Sequence, residues 1–378
     1  MPSKRIKVGV IFGGKSGEHE VSLQSAKSVI EALNPHQYTI VPIGISKSGN
    51  WQVGKNALKA LEEEQNTAKK VSSSSSVSFI NHQIGGLTSV SPQPSAQPVP
   101  SALVNDVDVI IPVMHGTYGE DGSIQGMLEL MDVAYVGAGV LASAVGLDKV
   151  VMKQVFGSVG LPQVRYTSCT RQTWKASPLQ VIRQVEDTFG YPCFVKPANL
   201  GSSVGISKAR DREELQRAIE LAAQYDRKII IEEGLNVREV EVAVLGNDVP
   251  QVSVAGEIVP SSEFYDYKAK YVGGTSKLII PAELTDRQRQ EIEQYAVEAF
   301  QAIDCSGLSR VDFFIEKETG RVIVNEINTM PGFTRYSMYP KLWEASGMSY
   351  TKLLDTLIEL AIERQNEKRQ LIRTFENE

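Results

Sequence analysis

Two apolar runs near the end of the chain, Ser309–Glu316 and Arg321–Glu326, are joined at Glu318-Thr319-Gly320. A three-residue loop with glycine last is a common hairpin connection. A register centred on Thr319 sets Asp312 opposite Glu326 and Arg310 opposite Asn328, and period-two alternation puts all four on one face. Two carboxylates directly opposed in a sheet repel each other. The pair becomes favourable with a hard divalent cation between them, for which Asp312, Glu326 and the Asn328 carbonyl are suitable oxygen donors, with phosphate oxygens completing the shell. The competing reading is a hairpin shifted by a residue or two, its acids facing solvent.

Two glycine segments invite a phosphate reading. Lys196-Pro197-Ala198-Asn199-Leu200-Gly201-Ser202-Ser203-Val204-Gly205 lies between two short strands, where small residues let a loop lie over phosphates and donate N–H bonds, with Lys196 supplying charge. Taken alone it reads first as an ordinary flexible hairpin. Gly9–Ser16 (GVIFGGKS) matches the pattern G-x-x-x-x-G-K-[ST], but Val8–Phe12 are themselves a strand, which leaves no room for a phosphate-wrapping loop. We therefore set the P-loop reading aside.

These candidates need a scaffold. Residues 6–12 read as a buried strand, Glu20–Leu33 as a helix and Tyr38–Ile45 as the next strand, a βαβ unit that opens a parallel sheet. A third strand, Val107–Val113, and a helix from Ser123 to Met131 continue it. Between them, residues 66–101 are Ser- and Pro-rich and read as a surface-loop insertion. A helix is expected from Val140 to Phe156, then strands at Pro192–Lys196, Gly205–Lys208 and Ile229–Glu232, with a helix opened by Asp211 between the last two. Strands dominate from Val237 to Asn328, broken by a helix at Asp286–Ile303, and a helix from Tyr350 to about Arg364 closes the chain. The expected fold class is α/β (α+β): an N-terminal open parallel sheet followed by two α+β modules, divided as residues 1–138, 139–236 and 237–378.

Of 378 residues, 39 are Lys or Arg and 45 are Asp or Glu, a formal charge of −6. A mildly acidic chain has no general attraction for nucleic acid or anionic membrane, so a phosphate site must be built locally. Three scattered cysteines and four histidines without ligand spacing supply neither a disulfide framework nor a zinc site. No signal peptide or membrane span is visible, and a cytoplasmic enzyme is expected.

Six motifs occur in order: Glu18-His19-Glu20-Val21-Ser22; His115-Gly116 with Gly119-Glu120-Asp121-Gly122; Gly201-Ser202-Ser203-Val204-Gly205; Phe264-Tyr265-Asp266-Tyr267 with Lys270-Tyr271; Arg310-Val311-Asp312; and Asn325-Glu326-Ile327-Asn328 with Pro331-Gly332. Together they resemble the D-alanine–D-alanine ligases, ATP-grasp enzymes of peptidoglycan precursor synthesis, from about residue 6 to residue 362. The resemblance implies that two D-alanines and ATP give the dipeptide, ADP and phosphate through an acyl phosphate. It implies that Glu18 holds the first substrate's ammonium and forms a network with Ser202 and Tyr271. Lys149 and Lys196 would contact the α- and β-phosphates and Lys270 the γ-phosphate. Glu232, Glu233 and Leu235 would read adenine, and Glu239 the ribose. Asp312, Glu326 and Asn328 would hold two Mg²⁺ (or Mn²⁺) ions, Arg310 and the Gly332 N–H would stabilise the oxyanion, and Ser337 would bind the second carboxylate. His115 falls near the substrate pocket, residues 257–277 read as a mobile lid, and a homodimer is implied. Another ATP-grasp carboxylate–amine ligase and a non-catalytic nucleotide sensor are the alternatives.

Overall fold

In the first sheet, strand β1 (Ile6–Gly13) is central because both of its faces are apolar: Val8, Val10 and Phe12 bury into one core and Ile11 into another. The computed structural model describes residues 5–64, 107–201, 204–259 and 277–372. β1 pairs in parallel with β2 (Tyr38–Ile45) and β4 (Val109–Pro112), β5 (Ala134–Tyr135) extends the far side, and β3 (Trp51–Val53) runs antiparallel on β2, in the order β3-β2-β1-β4-β5. Helix α1 (His19–Ala32) lies on one face and α2 (Ser123–Leu130) on the other. Gly9 sits in mid-strand, and the N–H groups of Gly13 and Gly14 are taken by Ser22 Oγ and the Ile45 carbonyl, so this glycine segment holds the fold together and wraps no phosphate.

The expected single helix over 140–156 is two, α3 (Val140–Leu147) and α4 (Lys149–Ser158). Asp148 breaks it: its carboxylate accepts the N–H groups of Val150 and Val151 and caps the second helix. Both helices contribute to the core under the third sheet, through Ala142, Met152 and Phe156, although they precede the second sheet in sequence. The second sheet, ordered β6-β9-β7-β8, comprises β6 (Tyr166–Thr170), β7 (Cys193–Pro197), β8 (Ser207–Ala209) and β9 (Lys228–Glu233). Its core is closed by α6 (Pro178–Thr188) and α7 (Arg212–Tyr225), with α5 (Arg171–Ala176) leading into α6. The expected Asp211 cap accepts from the Glu214 N–H; Glu214 reaches back to the Arg210 N–H instead of completing a capping box.

The third sheet runs β13-β12-β10-β14-β15, with β11 (Gln251–Val252) beside β10. Its members are β10 (Val237–Gly246), β12 (Gly256–Val259), β13 (Lys277–Ile279), β14 (Gly307–Glu316) and β15 (Val322–Asn328). Helix α8 (Asp286–Ala302) covers one face; α9 (Met338–Ala345) and α10 (Tyr350–Gln370) tie the sheet to the first through a shared core. α10 runs six residues past the expected end, and Arg364 donates to the carbonyls of Gly137 and Tyr135.

Candidate active site

A cavity of about 720 Å³ opens between the second and third sheets, with Glu18, at the start of α1, and His115 and Glu120 along its side. Strand parity decides which side chains enter it. In β9 Ile229 and Ile231 go to the core while Glu232 faces the cavity; in β7 Cys193 and Val195 go to the core while Lys196 faces it. In β10 Val240, Val242 and Val244 are core, so Glu239 and Glu241 point the other way. In β14 Val311, Phe313 and Ile315 are core, leaving Arg310 and Asp312 on the cavity side.

The hairpin register is as expected at the site and differs near the turn. Arg310 pairs with Asn328 and Asp312 with Glu326, but Phe313 pairs with Val324 and Ile315 with Val322. Near the turn the Glu316 N–H bonds to the Arg321 carbonyl, so the loop is one residue longer than Glu318–Gly320. A bulge at Asn325 absorbs the difference. It also switches parity: Val322 and Val324 before it and Ile327 after it are all core, which turns Glu326 and Asn328 into the cavity.

The opposed acids are not left to repel each other, contrary to the expectation from the register alone. Arg310 clamps both Asp312 oxygens, through Nε at 2.7 Å and Nη2 at 2.6 Å, and its Nε lies 3.0 Å from Glu241. Asn328 Nδ2 donates to Asp312 at 3.0 Å, and Lys149 Nζ stands 3.7 Å from Glu326 while donating to the Leu200 carbonyl. Burial disfavours the guanidinium charge of Arg310, but Asp312 and Glu241 override it and hold the group protonated well above its ordinary range.

At the opposite wall Glu232 is flanked by Lys196 at 2.6 Å and Lys153 at 3.1 Å. Burial would raise this carboxyl; the two ammonium groups reverse that and bring it down to about 2. Lys153, itself buried, is lowered by desolvation and by Lys196, against the pull of Glu232. The carboxylate of Glu233 is bonded by the Arg165 N–H and Nε, which pins the chain as it crosses from the second sheet to the third.

Glu18 is the N-cap residue of α1, and a Cβ on Gly116 or on Gly201 would come within 3.2 Å of its Oε1. Two glycines therefore bring two loops against one carboxylate, Gly116 with a φ of +75° that itself favours glycine. His115 is buried, bonded to Ser25 Oγ at 3.0 Å and lying 3.6 Å from Glu120. Burial opposes its protonation, but Glu120, Glu18 and the Met330 carbonyl prevail and raise its pKa. Ser337 stands at the N-cap position of α9, but its hydroxyl is shared with Thr334 at 2.8 Å instead of bonding the helix, and it packs against Gly332, where a Cβ would meet it at 3.1 Å.

Two family models match the chain: "D-ala D-ala ligase N-terminus" over residues 7–138 and "D-ala D-ala ligase C-terminus" over residues 155–359. The chain belongs to the D-ala D-ala ligase family. A D-alanine–D-alanine ligase of Bacillus cytotoxicus is 51% identical over 367 residues, 97% of this chain and 98% of the relative. One from Geobacillus thermodenitrificans is 48% identical over 98% of this chain and its own full length. Among solved structures, the D-alanine-D-alanine ligase from Coxiella burnetii superimposes with a TM-score of 0.78 at 35% identity, covering 98% of both chains. The VanG D-Ala:D-Ser ligase from Enterococcus faecalis gives 0.76 at 35% identity, covering 95% of this chain and 100% of its own.

Every expected site residue of this D-ala D-ala ligase that lies among the described residues lines the one cavity: Glu18, His115, Lys149, Lys196, Glu232, Glu233, Leu235, Glu239, Arg310, Asp312, Glu326, Asn328, Gly332 and Ser337. Ser202, Lys270 and Tyr271, most of the lid segment and the 66–101 insertion lie outside the described residues. Lys153, Glu241 and Lys341 went unread in the sequence. Glu241 carried a signal, a second acid at period two after Glu239 in an apolar strand; Lys153 carried none, since a lysine in a helix ordinarily reads as solvated.

Proposed function

We propose that the chain condenses two D-alanine molecules to D-alanyl-D-alanine, consuming ATP and passing through an acyl phosphate, for peptidoglycan precursor synthesis. The observation that carries this reading is the convergence of the family's site residues on one cavity between two sheets, in a chain about half identical to D-alanine–D-alanine ligases along its length.

A carboxylate is a poor electrophile, so ATP first phosphorylates the first D-alanine; the amine of the second then attacks through a tetrahedral oxyanion. Glu18 would orient the first ammonium. Lys149 and Lys196 would hold the nucleotide phosphates, Lys270 the transferred one, and the Glu232–Leu235 crossing with Glu239 the nucleoside. Arg310 and the Gly332 N–H would meet the oxyanion, preorganised by the clamp on Asp312. Ser202 and Tyr271 would complete the Glu18 network. A neutral tyrosine there imposes no charge penalty on an incoming ammonium, which favours D-alanine over D-lactate as acceptor.

The cavity walls suit a divalent cation. Eight carboxylates line them (Glu18, Glu120, Glu232, Glu233, Glu239, Glu241, Asp312 and Glu326) against the cations Lys149, Lys196, Arg310 and Lys341, so an anionic nucleotide must bring positive charge with it. Asp312, Glu326 and the Asn328 carbonyl form an all-oxygen set with no Cys or His, fitting Mg²⁺ or Mn²⁺. Two such ions would neutralise phosphate charge during transfer.

Residues 1–138 would bind substrate, 139–236 form the central nucleotide-clamping module, although its first two helices pack under the third sheet, and 237–378 carry the metal and oxyanion site. Among the described residues no helix is long and apolar enough to cross a membrane. A cytoplasmic homodimer without nucleic-acid partners completes the proposal. Purified protein given ATP, Mg²⁺ and D-alanine should release phosphate and dipeptide together; phosphate release that requires a different amino acid would overturn the substrate assignment.

A further inference from the structure

Three of the four cavity cations are already engaged: Lys149 with Glu326, Lys196 with Glu232, and Arg310 with Asp312 and Glu241. Lys341 differs. It is half-buried in the cavity wall, and among the described residues its ammonium has no ion pair and no hydrogen bond. It stands one turn after Ser337, with the Lys341 N–H bonded to the Ser337 carbonyl at 3.3 Å, so the two side chains share one face at the start of α9. A cation without a partner in a wall this acidic is expected to receive an anion from the ligand.

The reaction supplies that anion. The first D-alanine loses its free carboxylate to phosphorylation, but the second keeps a full negative charge until the product leaves. In a cavity with surplus acid this bystander carboxylate is repelled unless a cation is reserved for it. We propose that Lys341 is a specificity-determining residue that pairs with the carboxylate of the second D-alanine beside Ser337. This deepens the ligase reading and rests on it. The ammonium selects acceptors that carry a carboxylate on the carbon bearing the amine, and Ser337 supplies direction where Lys341 supplies charge.

D-Alaninamide tests the assignment, because it has no carboxylate to phosphorylate and enters as acceptor alone. Wild-type, K341R, K341M and K341Q enzymes would be given ATP, Mg²⁺ and mixtures of D-alanine and D-alaninamide. Dipeptide and dipeptide amide are then quantified, with KM values for ATP and for D-alanine at each of its two sites. A partly desolvated charge-assisted pair corresponds to about a tenfold effect. K341M and K341Q are expected to raise KM for the second D-alanine by about tenfold and to narrow the preference for D-alanine over D-alaninamide by a similar factor. KM for ATP and for the first D-alanine should stay within about twofold, and K341R should restore most of the preference. An unchanged preference in both neutral variants, or a loss falling equally on both acceptors, overturns the role of Lys341. A wild-type enzyme that forms no dipeptide overturns the ligase reading itself.

Discussion

The two ends of the cavity handle charge in opposite ways. On the second sheet two lysines share one carboxylate, and the group is the drier one: the side chains of Glu232, Lys153 and Lys196 are 3%, 1% and 12% exposed. On the third sheet Arg310 is shared by Asp312 and Glu241, with Glu326 beside them, and the Asp312 and Glu326 side chains are 12% and 24% exposed. The first arrangement leaves positive charge facing an anion; the second leaves negative charge facing a cation. A nucleotide whose phosphates carry a divalent cation would satisfy both, its phosphate oxygens toward Lys196 and its metal toward Asp312 and Glu326. The difference in burial assigns different work to the two clusters. Removing one member of a dry cluster strands a charge and weakens the fold, whereas a wetter cluster can exchange its partner when a ligand arrives.

The hairpin acids give the largest expected effect. Glu326→Gln and Asp312→Asn should each lower turnover by about a thousandfold at saturating ATP and Mg²⁺, equivalent to about 4 kcal/mol of barrier, with far-UV circular dichroism unchanged. The two should differ in stability. Asp312 accepts from Arg310 and Asn328 within the hairpin, so Asp312→Asn should melt lower than Glu326→Gln. Full activity in either variant would remove the metal assignment from this end.

Glu232 should show the reverse pattern, a stability loss larger than its direct part in chemistry. Glu232→Gln leaves Lys153 and Lys196 together without their shared carboxylate and should cost about 3 kcal/mol in urea unfolding. The pH dependence has a definite sign. Glu232 falls from an ordinary 4.5 to about 2 on folding, so it stabilises the protein above pH 4.5 and that contribution fades as pH drops toward 2. The variant should lose this acid-limb slope. An identical slope in both proteins would mean that the dry cluster is not held by charge.

How much of this was legible in the sequence follows from which forces are local. Alternation along β14 and β15 exposed the opposition of Asp312 and Glu326, because register depends on short-range pattern. The Asn325 bulge was not legible: a three-residue loop without a bulge and a longer loop with one give the same pairing at the site. The break at Asp148 was readable in principle, as an Asp able to accept the N–H groups two and three residues on, yet the apolar spacing around it favoured one continuous helix. Lys153 could not be read, since its burial depends on Glu232, which arrives from a strand about eighty residues later. The cavity itself needs two sheets to face each other, and no local pattern specifies that.

Asp148 gives the smallest expected effect and probes the seam between the two ends. Its carboxylate caps α4, whose first residue is Lys149, and also pairs with Lys228 on β9. Burial would raise its pKa, but Lys228 and the Val151 N–H draw it down, so it is ionised in the folded protein. One side chain therefore orders the helix that presents Lys149 and fastens that helix to the second sheet. Asp148→Ala removes both functions and should cost about 1–2 kcal/mol of stability. Asp148→Asn keeps an effective cap while losing the ion pair, so it should cost a fraction of that. Because Lys149 follows directly and reaches both Glu326 and the Leu200 carbonyl, the alanine variant should also raise KM for ATP by a few-fold with kcat nearly unchanged. Equal losses in the two variants would assign the effect to the Lys228 pair; a normal KM in the alanine variant would show that Lys149 is positioned by its own partners and needs no cap behind it.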